Sequence, residues 1–492
     1  MNWLNVEKLV TATHGLLRGC SPGAERVQTP TQPLRIVTHS REVRPGDLFW
    51  ALSGQNYDGA DFTTEAYRRG AVGVVAAAGR VNPPSGRWGV DVDDALIALQ
   101  QLASYRGQHF AGDVIAVTGS VGKTSTREMI HAVLSVKLHG CASPCNFNNH
   151  LGLPLSLLQV ADDHDYAVLE LGASAPGEIK QLAALCRPKV GVITSVGDAH
   201  LGGFRSRELV LASKLELLET LDAGGWAVLG GDPLLQTKAA AVFHGRTTCV
   251  GRHIDGDLCP VNVVQQDGLL SFELDGTRFG VHVWGRHHLT SALVAVAIGR
   301  DFGLTDAEIA DGLRRFEPLP GRCKVREVGG IKVIDDSYNA SPLAMQAALD
   351  LLGQLATPSR RVAVLGDMCE LGTVSTDLHR RAGRNVVTRG TADFLVACGQ
   401  HGRDYVAGAV AAGMPKDSCA VETDAQSAAA AVASAVRPGD VVLVKGSRSV
   451  GMECIVAALS QLTENPVVST AVSSSSASMP GNTRSWETPN KT

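Results

Sequence analysis

A short glycine-rich segment directly after an apolar run constrains this chain more than any other feature. Residues 113–126 read DVIAVTGSVGKTST. The apolar residues 114–117 predict a buried strand, residues 118–122 predict a tight glycine turn, and a helix is predicted to begin at Lys123. The free N–H groups and dipole of a helix N-terminus favour an anion. The segment therefore predicts a phosphate site, with Lys123 near the terminal phosphates and Thr124 on a magnesium ion.

The glycine turn is shorter than the common phosphate-binding pattern, which places four residues between its first glycine and the Gly-Lys pair. Here only Ser120 and Val121 separate Gly119 from Gly122. The alternative is an ordinary strand-turn-helix with a surface lysine. A Gly-Lys-Thr sequence directly after a strand favours the phosphate site.

Length and composition limit the class of protein. A chain of 492 residues exceeds what one core normally supports and predicts about three domains. The 53 glycines and 44% hydrophobic residues suit an α/β protein, and a net charge of −4 argues against a general nucleic-acid binder. Eleven scattered cysteines and an N-terminus without signal-peptide features predict a reducing, cytoplasmic location. No apolar run approaches about 18 residues, so no membrane insertion is expected.

Breaks in the pattern predict an α/β protein of three domains. Helical spacing in residues 94–108 marks the end of a small N-terminal α/β domain, and Pro318 and Pro320 precede a fresh βαβ alternation. The Ser/Thr-rich C-terminus predicts disorder. The predicted parts are an N-terminal domain (1–108), a central P-loop ATPase-type domain with a mainly parallel sheet (109–316), a C-terminal Rossmann-like domain (317–465) and a disordered tail (466–492).

Polar side chains are predicted at the ends of central strands, where α/β sheets bind ligands. The apolar run of residues 166–170 ends on Glu170, and the run that begins at residue 190 leads to His200. With Thr124, these residues are candidate magnesium ligands, although His200 alone could be a surface histidine. Lys214 lies in the helix that follows, and the alternative for this lysine is that it snorkels to solvent.

Two loops in the first half of the chain are candidate substrate sites. Ser40 and Arg41 offer a hydroxyl and a guanidinium that could hold a nucleotide diphosphate, or they could form a plain polar loop. Residues 146–154, NFNNHLGLP, contain too many amides for a core. They predict a ligand-facing loop, with a helix-capping loop as the alternative.

The predicted C-terminal strands each end on polar or glycine residues. In a doubly wound domain these ends lie along one edge and present a charged face. The alternative is that the residues cap helices. The positions are Asp335 with Asp336, Asp367, Gly399, and Lys445 with Ser447 and Arg448.

Taken in order, these motifs resemble those of the Mur ligases, ATP-dependent enzymes that form amide bonds in the peptidoglycan stem peptide. The resemblance covers residues from about 35 to 460, and its motifs are TGSVGKT, NFNNHLGLP, ELGA, SVGDAHLGGF, SKLE, GRHH and PLPGR. In the C-terminal part, DDSYNASP, GDMCELG and KGSRSVGME look like the motifs of members that add D-alanyl-D-alanine. The DYAHTP and Asp-Asn-Pro-Arg motifs of relatives that add diaminopimelate or lysine are absent from the sequence.

The resemblance implies roles for individual residues. It places the ATP phosphates on Gly119, Ser120, Val121, Gly122, Lys123, Thr124 and Ser125, and further ATP contacts on His288, Arg322, Asp336 and Asn339. It implies two Mg²⁺ ions held by Thr124, Glu170, His200 and Lys214, with Lys214 carboxylated to a carbamate. Lys123, Glu170, His200 and Lys214 would be catalytic.

The implied substrates are UDP-N-acetylmuramoyl-tripeptide and D-alanyl-D-alanine. The implied substrate-binding residues are Ser40, Arg41, Asn148, Asn149, Lys445, Ser447 and Arg448. His288 and Ser291 stand where the family carries asparagines that contact adenine.

The implied reaction is an amide ligation that passes through an acyl phosphate. One alternative is a Mur ligase that adds a single amino acid to UDP-muramoyl-dipeptide. Others are a P-loop regulatory ATPase that acts on a partner and a non-catalytic binding module. Release of ADP that requires both ligase substrates would distinguish the ligase from the ATPase.

Overall fold

The structure is a computed structural model that describes residues 3–19, 34–144, 146–251, 257–355 and 360–462. The predicted tail, 466–492, lies outside the described residues. The α/β prediction is confirmed, because helices alternate with strands in four sheets. The described residues form two compact units: unit 1 contains those within 1–195, 211–259 and 290–312, and unit 2 contains those within 196–210, 260–289 and 313–492.

The N-terminal part of unit 1 is a five-stranded sheet with the order β1-β5-β4-β3-β2. Only β1 is antiparallel to its neighbour; the other strands are parallel. Strands β2 and β3 are parallel neighbours, with a 3-10 helix, Ser40–Glu42, between them. The elements are α1 Val6–Thr13, β1 Leu16–Arg18, β2 Ile36–Val37, β3 Leu48–Trp50, α2 Thr63–Arg68, β4 Gly73–Ala77, β5 Trp88–Val92 and α3 Ala95–His109.

The larger sheet of unit 1 has six parallel strands in the order β11-β10-β9-β6-β8-β7. The strands are β6 Asp113–Thr118, β7 Gly140–Ala142, β8 Tyr166–Glu170, β9 Val190–Ile193, β10 Trp226–Leu229 and β11 Arg246–Cys249. Every residue of β8 is buried, as expected when helices cover both faces of a parallel sheet. The carboxyl ends of β6, β8 and β9 therefore meet at one edge, which positions the site described below.

The helices between residues 123 and 315 include one, α10, that is almost wholly buried. In α10, residues 291–299 are all buried. The helices are α4 Lys123–Leu134, α5 Gly152–Leu158, α6 Glu178–Cys186, α7 Leu201–Phe204, α8 Arg207–Glu219, α9 Pro233–Val242, α10 Leu289–Asp301 and α11 Asp306–Arg315.

Unit 2 contains a three-stranded antiparallel sheet. Its strands are β12 Val261–Gln266, β13 Leu269–Leu274 and β14 Thr277–His282. Phe272 and Phe279 stack on one face, with their ring centroids 5.6 Å apart. Both side chains are buried.

The other sheet of unit 2 has the order β15-β16-β20-β17-β18-β19, and only β15 is antiparallel. Separate apolar clusters cover its two faces. The register pairs Asp336 with Lys445, so these polar residues lie side by side at the carboxyl edge. The elements are β15 Lys324–Val328, β16 Ile331–Asp336, α12 Pro342–Gln354, β17 Arg361–Gly366, α13 Ser375–Thr388, β18 Phe394–Cys398, α14 Gly402–Ala411, β19 Cys419–Glu422, α15 Ala425–Ala435, β20 Val441–Lys445 and α16 Glu453–Gln461.

Within the five described ranges, no helix has both the length and the apolar character needed to cross a membrane.

Candidate active site

The predicted phosphate loop lies in unit 1, between the end of β6 and the start of α4. Gly119 has φ 147° and Gly122 has φ 84°, both in the region that favours glycine. A Cβ atom on Gly119 would also lie 2.0 Å from the Thr194 hydroxyl oxygen. Among the described residues, no side chain caps α4 at Gly122. The first N–H groups of α4 are therefore placed to bind an anion.

Thr194 and Ser195, just after β9, hold this loop, and the sequence analysis did not single them out. The Thr194 hydroxyl donates to the Val121 carbonyl at 2.6 Å. The Ser195 carbonyl accepts from the Ser120 N–H at 2.9 Å, and its hydroxyl accepts from the Val121 N–H at 3.0 Å. The sequence signal for this role is that two hydroxyl residues directly follow β9, the strand next to β6.

Lys123 opens α4, and its ammonium group lies over the loop. Its Nζ donates to the Gly119 carbonyl at 2.8 Å. Ser125 is half-buried in the same helical turn. The loop, the lysine and the helix N-terminus thus form one positively polarised surface at the position of the predicted phosphate site.

Thr124 and Glu170 come together from different elements at the same edge of the sheet. The Thr124 hydroxyl donates to Glu170 Oε2 at 2.8 Å, and Asn148 Nδ2 donates to Glu170 Oε1 at 2.8 Å. Glu170 is 1% exposed. A hydroxyl and a carboxylate are the hard oxygen donors that Mg²⁺ prefers. The donor set therefore fits a magnesium ion.

Arg127 is a buried cation in this cluster that the sequence analysis missed. Its NH1 lies 3.4 Å from Glu170 Oε2, and the guanidinium also contacts Glu128. The side chains of Arg127 and Glu170 are 0% and 2% exposed. An opposite charge at this distance offsets part of the cost of burying the Glu170 carboxylate.

The two asparagines of the NFNN loop have different environments. Asn148 contacts Glu170, as described above. Asn149 Oδ1 instead accepts from the Gly152 N–H at 2.8 Å and from the Leu151 N–H at 3.2 Å, at the start of α5. Asn149 therefore caps a helix, as the alternative interpretation expects, while Asn148 faces the Glu170 carboxylate; that the loop faces a ligand stays a prediction.

Lys214 on α8 is 3% exposed, so it does not snorkel to solvent. Burial, and then the positive charge of Lys123, lower its pKa from 10.5 to about 7, against the opposing effects of Glu216 and Glu178. Near neutral pH, a substantial fraction of this side chain is the uncharged amine. An uncharged buried amine can act as a nucleophile, whereas an ammonium cannot.

Glu216, two residues after Lys214, has a structural contact. Its Oε1 accepts from the Gly177 N–H at 2.7 Å and its Oε2 accepts from the Lys180 N–H at 3.1 Å. These contacts hold α8 against the first turn of α6. The carboxylate thereby fixes the helix that carries Lys214.

His200 lies in unit 2, whereas Thr124, Glu170 and Lys214 lie in unit 1. Residues 194–199 separate it from the end of β9, so it is not the direct strand end that the sequence indicated. Its backbone is left-handed at φ 55°, and its Nδ1 contacts the carboxylate of Glu370. The Gly202 N–H also donates to the Glu370 carbonyl at 2.8 Å.

A buried ion pair lies at the carboxyl edge of the large sheet in unit 2. Lys445 Nζ donates to Asp336 Oδ2 and, at 2.9 Å, to the Asn339 carbonyl. Lys445 is 2% exposed and Asp336 is 9% exposed. Ser447 is also buried, and its hydroxyl accepts from the Cys369 N–H at 2.8 Å. Four predicted site residues are thus close neighbours.

Arg322 and Arg448 share an aromatic neighbour, Tyr338, that the sequence analysis quoted only within a motif. The guanidinium carbon lies 4.0 Å from the ring centroid for Arg322 and 5.5 Å for Arg448. The side chain of Arg448 is 63% exposed. Contact with the ring orients both cations and leaves Arg448 accessible to an anionic ligand.

The remaining predicted residues are separate from these groups. Ser40 is buried in its 3-10 helix and Arg41 is exposed. Ser291 is buried in unit 1, where its hydroxyl oxygen accepts from the Thr126 hydroxyl at 2.8 Å. His288 is 4% exposed in unit 2.

Comparison with known proteins gives consistent results. The family described as Mur ligase middle domain matches residues 117–299, and the family described as Mur ligase, glutamate ligase domain matches residues 314–448. A Bacillus subtilis protein named UDP-N-acetylmuramoyl-tripeptide--D-alanyl-D-alanine ligase is 34% identical over 434 residues, which cover 88% of this chain and 93% of that protein.

Two solved structures resemble the chain over most of its length. A crystal structure of MurF from Acinetobacter baumannii aligns with a TM-score of 0.80 and 28% identity, covering 93% of this chain and 98% of that chain. MurF ligase from Thermotoga maritima in complex with ADP aligns with a TM-score of 0.75 and 32% identity, covering 87% and 98%.

Proposed function

The chain belongs to the Mur ligase family, and we propose that it joins D-alanyl-D-alanine to UDP-N-acetylmuramoyl-tripeptide in an ATP-dependent reaction. The observation that carries this proposal is the 2.8 Å contact between Thr124 and Glu170 beside an intact phosphate loop. The chain that holds this contact is 34% identical to a ligase named for the same substrates. The product is the UDP-muramoyl-pentapeptide used in peptidoglycan synthesis, and we propose a cytoplasmic location for the reaction.

The reaction has two steps. First, a carboxylate oxygen of the tripeptide attacks the γ-phosphorus of ATP, which gives an acyl phosphate and ADP. Then the dipeptide amine attacks the acyl carbon, loses one proton and expels inorganic phosphate. The first step brings two anions together, so stabilisation of negative charge is the main requirement.

Residues of unit 1 meet that requirement. The N–H groups that begin α4 and the Lys123 ammonium surround the place for the phosphates. Thr124 and Glu170 would hold Mg²⁺, which when bound neutralises charge on the phosphate oxygens. Asn148 and Arg127 orient the carboxylate of Glu170 through the contacts described above.

We propose that Lys214 supplies a ligand for a second metal ion. Its uncharged amine can attack the carbon of CO₂ and lose one proton, which gives a carbamate anion at a place where an ammonium would repel a cation. The carbamate and Glu170 would then provide oxygen donors in unit 1. The role of His200 as a further ligand stays a prediction from the family resemblance.

In unit 2, Arg322 and Arg448 are suited to anionic groups of the substrates, because guanidinium groups bind carboxylate and phosphate oxygens in two-point contacts. The buried pair of Asp336 and Lys445 fixes the two strand ends that precede the Asn339 and Ser447 loops. We assign these residues to binding of the nucleotide and the dipeptide.

Measuring phosphate release from ATP and UDP-N-acetylmuramoyl-tripeptide tests the proposal directly. We expect release only when D-alanyl-D-alanine is added, with a pentapeptide product identified by mass spectrometry. D-Alanine alone, and a single amino acid offered with UDP-muramoyl-dipeptide, are the controls. Equal phosphate release without D-alanyl-D-alanine would indicate an ATPase. Turnover of UDP-muramoyl-dipeptide with a single amino acid would indicate another Mur ligase.

A further inference from the structure

Two histidines and one cysteine in unit 2 form a cluster whose nitrogen and sulfur atoms are metal donors. His287 and His288 end the 3-10 helix Arg286–His288, and Cys323 directly precedes β15. One ring nitrogen of each histidine and the sulfur of Cys323 all lie within 4.8 Å of one another. Imidazole nitrogen and thiolate sulfur are the donors that Zn²⁺ selects.

His288 provides an independent sign that the cluster lacks a ligand. The residue is 4% exposed, and its Nε2 is buried without a hydrogen-bond partner in the part of the chain that the structure describes. Most buried polar atoms in proteins are satisfied. A metal ion bound at Nε2 would satisfy this atom.

The backbone holds the three side chains near one another. Cys323 has a left-handed φ of 53°, and its N–H donates to Asp336 Oδ1 at 3.2 Å, so the fold fixes an unusual conformation at the thiol. The rings of His287 and His288 lie with their centroids 4.2 Å apart. His287 is exposed, whereas His288 and Cys323 are buried.

The geometry points to a Zn²⁺ site formed by His287, His288 and Cys323, and we propose that one ion binds there through two imidazole nitrogens and one thiolate. On binding, the thiol gives up its proton to solvent and the sulfur–zinc bond forms. Three protein ligands leave one of the four tetrahedral positions open. Catalytic zinc sites share this feature, whereas structural zinc sites have four protein ligands. This site is separate in its chemistry from the oxygen donors Thr124 and Glu170, which suit Mg²⁺. It goes beyond the ligase activity.

The test uses the full chain, stripped with a chelator and titrated with Co²⁺ as a spectroscopic substitute for Zn²⁺. We expect one equivalent to bind with a sulfur-to-cobalt charge-transfer band, and Zn²⁺ to displace it. Cys323→Ser should abolish the band. His287→Ala, at an exposed position that should not disturb folding, should weaken binding by at least about tenfold.

Two matched variants serve as controls. Cys369→Ser removes an exposed cysteine of the same unit and should leave the band unchanged. His164→Ala removes a member of the other cluster, His139, Asp163 and His164, and should also leave it unchanged. Absence of the band in the parent chain, its survival in Cys323→Ser, or unchanged affinity in His287→Ala would overturn the site. Because no nucleotide is present, these results do not depend on ligase activity.

Discussion

The hydroxyl of Thr124, in the first turn of α4, donates a hydrogen bond to the carboxylate of Glu170, at the end of β8, across 2.8 Å. The contact joins the phosphate loop to the neighbouring strand. Arg127 and Asn148 contact the same carboxylate. The carboxylate is therefore held by three donors and is shielded from water, in an environment where electrostatic interactions are stronger than in solvent.

Replacing Glu170 tests whether this charge serves catalysis. In Glu170→Gln we expect kcat to fall by about a hundredfold or more, because an amide is a poor magnesium ligand and adds no negative charge. The Mg²⁺ concentration for half-maximal rate should rise. Loss of a charged partner for Arg127 should lower the free energy of unfolding by about 1–3 kcal/mol. Steady-state phosphate release at several Mg²⁺ concentrations measures the effect.

Glu128→Gln is the matched control, since Glu128 also contacts Arg127 but its side chain is 26% exposed. This variant should retain near-parent kcat and the same Mg²⁺ dependence. Equal losses in the two variants would show that Arg127 pairing, rather than metal binding, explains the effect.

Lys214→Ala should be nearly inactive and should regain part of its activity with added short-chain carboxylates, which can replace a carbamate. Labelled bicarbonate should give a carbamate carbon signal in the parent chain that this variant lacks. Lys180→Ala removes an exposed lysine of the same unit and should keep the signal. Full activity of Lys214→Ala in bicarbonate-depleted buffer would exclude the carbamate.

The lowered pKa of Lys214 also predicts how stability depends on pH. Between about pH 7 and 10.5 the unfolded chain binds a proton at this lysine that the folded chain does not. The free energy of unfolding of the parent should therefore rise with pH through this window relative to Lys214→Met, by at most about 1.4 kcal/mol per pH unit. Urea denaturation of both chains in bicarbonate-free buffer measures the difference. A constant difference from pH 7 to 10 would contradict the assignment.

Because Asp336 and Lys445 form a buried ion pair, we expect the effects of replacing them on the free energy of unfolding to be non-additive. Either Asp336→Asn or Lys445→Met leaves the other partner buried without its counter-charge, and each should destabilise unit 2 by about 3–5 kcal/mol. The double variant should lose less than the sum, because no unpaired charge remains. Thermal unfolding of the four chains gives the coupling, and kcat should fall in all three variants. Additive losses would mean that the two side chains act independently.

Local patterns explain what the sequence could predict. The strand, glycine turn and helix around Lys123 occupy consecutive residues, so hydrophobic period and glycine chemistry define them directly. The strand that ends on Glu170 follows from a short apolar run. Since parallel strands bring their carboxyl ends to one edge, the pairing of Glu170 with Thr124 followed from the fold class.

Contacts between distant residues could not be predicted in the same way. Arg127 looks like an ordinary polar position of α4, and only the packing of α4 against β8 shows that its charge is buried. Glu216 accepts a hydrogen bond from the Gly177 N–H at the start of α6, although the two residues are 39 positions apart in the chain. Sequence spacing does not reveal this contact. The cluster of His287, His288 and Cys323 likewise requires the turn before β15 to bring the thiol back to the 3-10 helix.

The hydrogen bonds from Thr194 and Ser195 to the phosphate loop have a consequence for ligand recognition. They fix the loop to the sheet during folding, so its conformational entropy is already lost before any nucleotide arrives. A nucleotide then meets a preorganised receptor, and its contact energy appears as affinity rather than being offset by ordering of the loop. We therefore expect the phosphate loop of unit 1 to be ordered before a nucleotide binds, rather than to fold on binding.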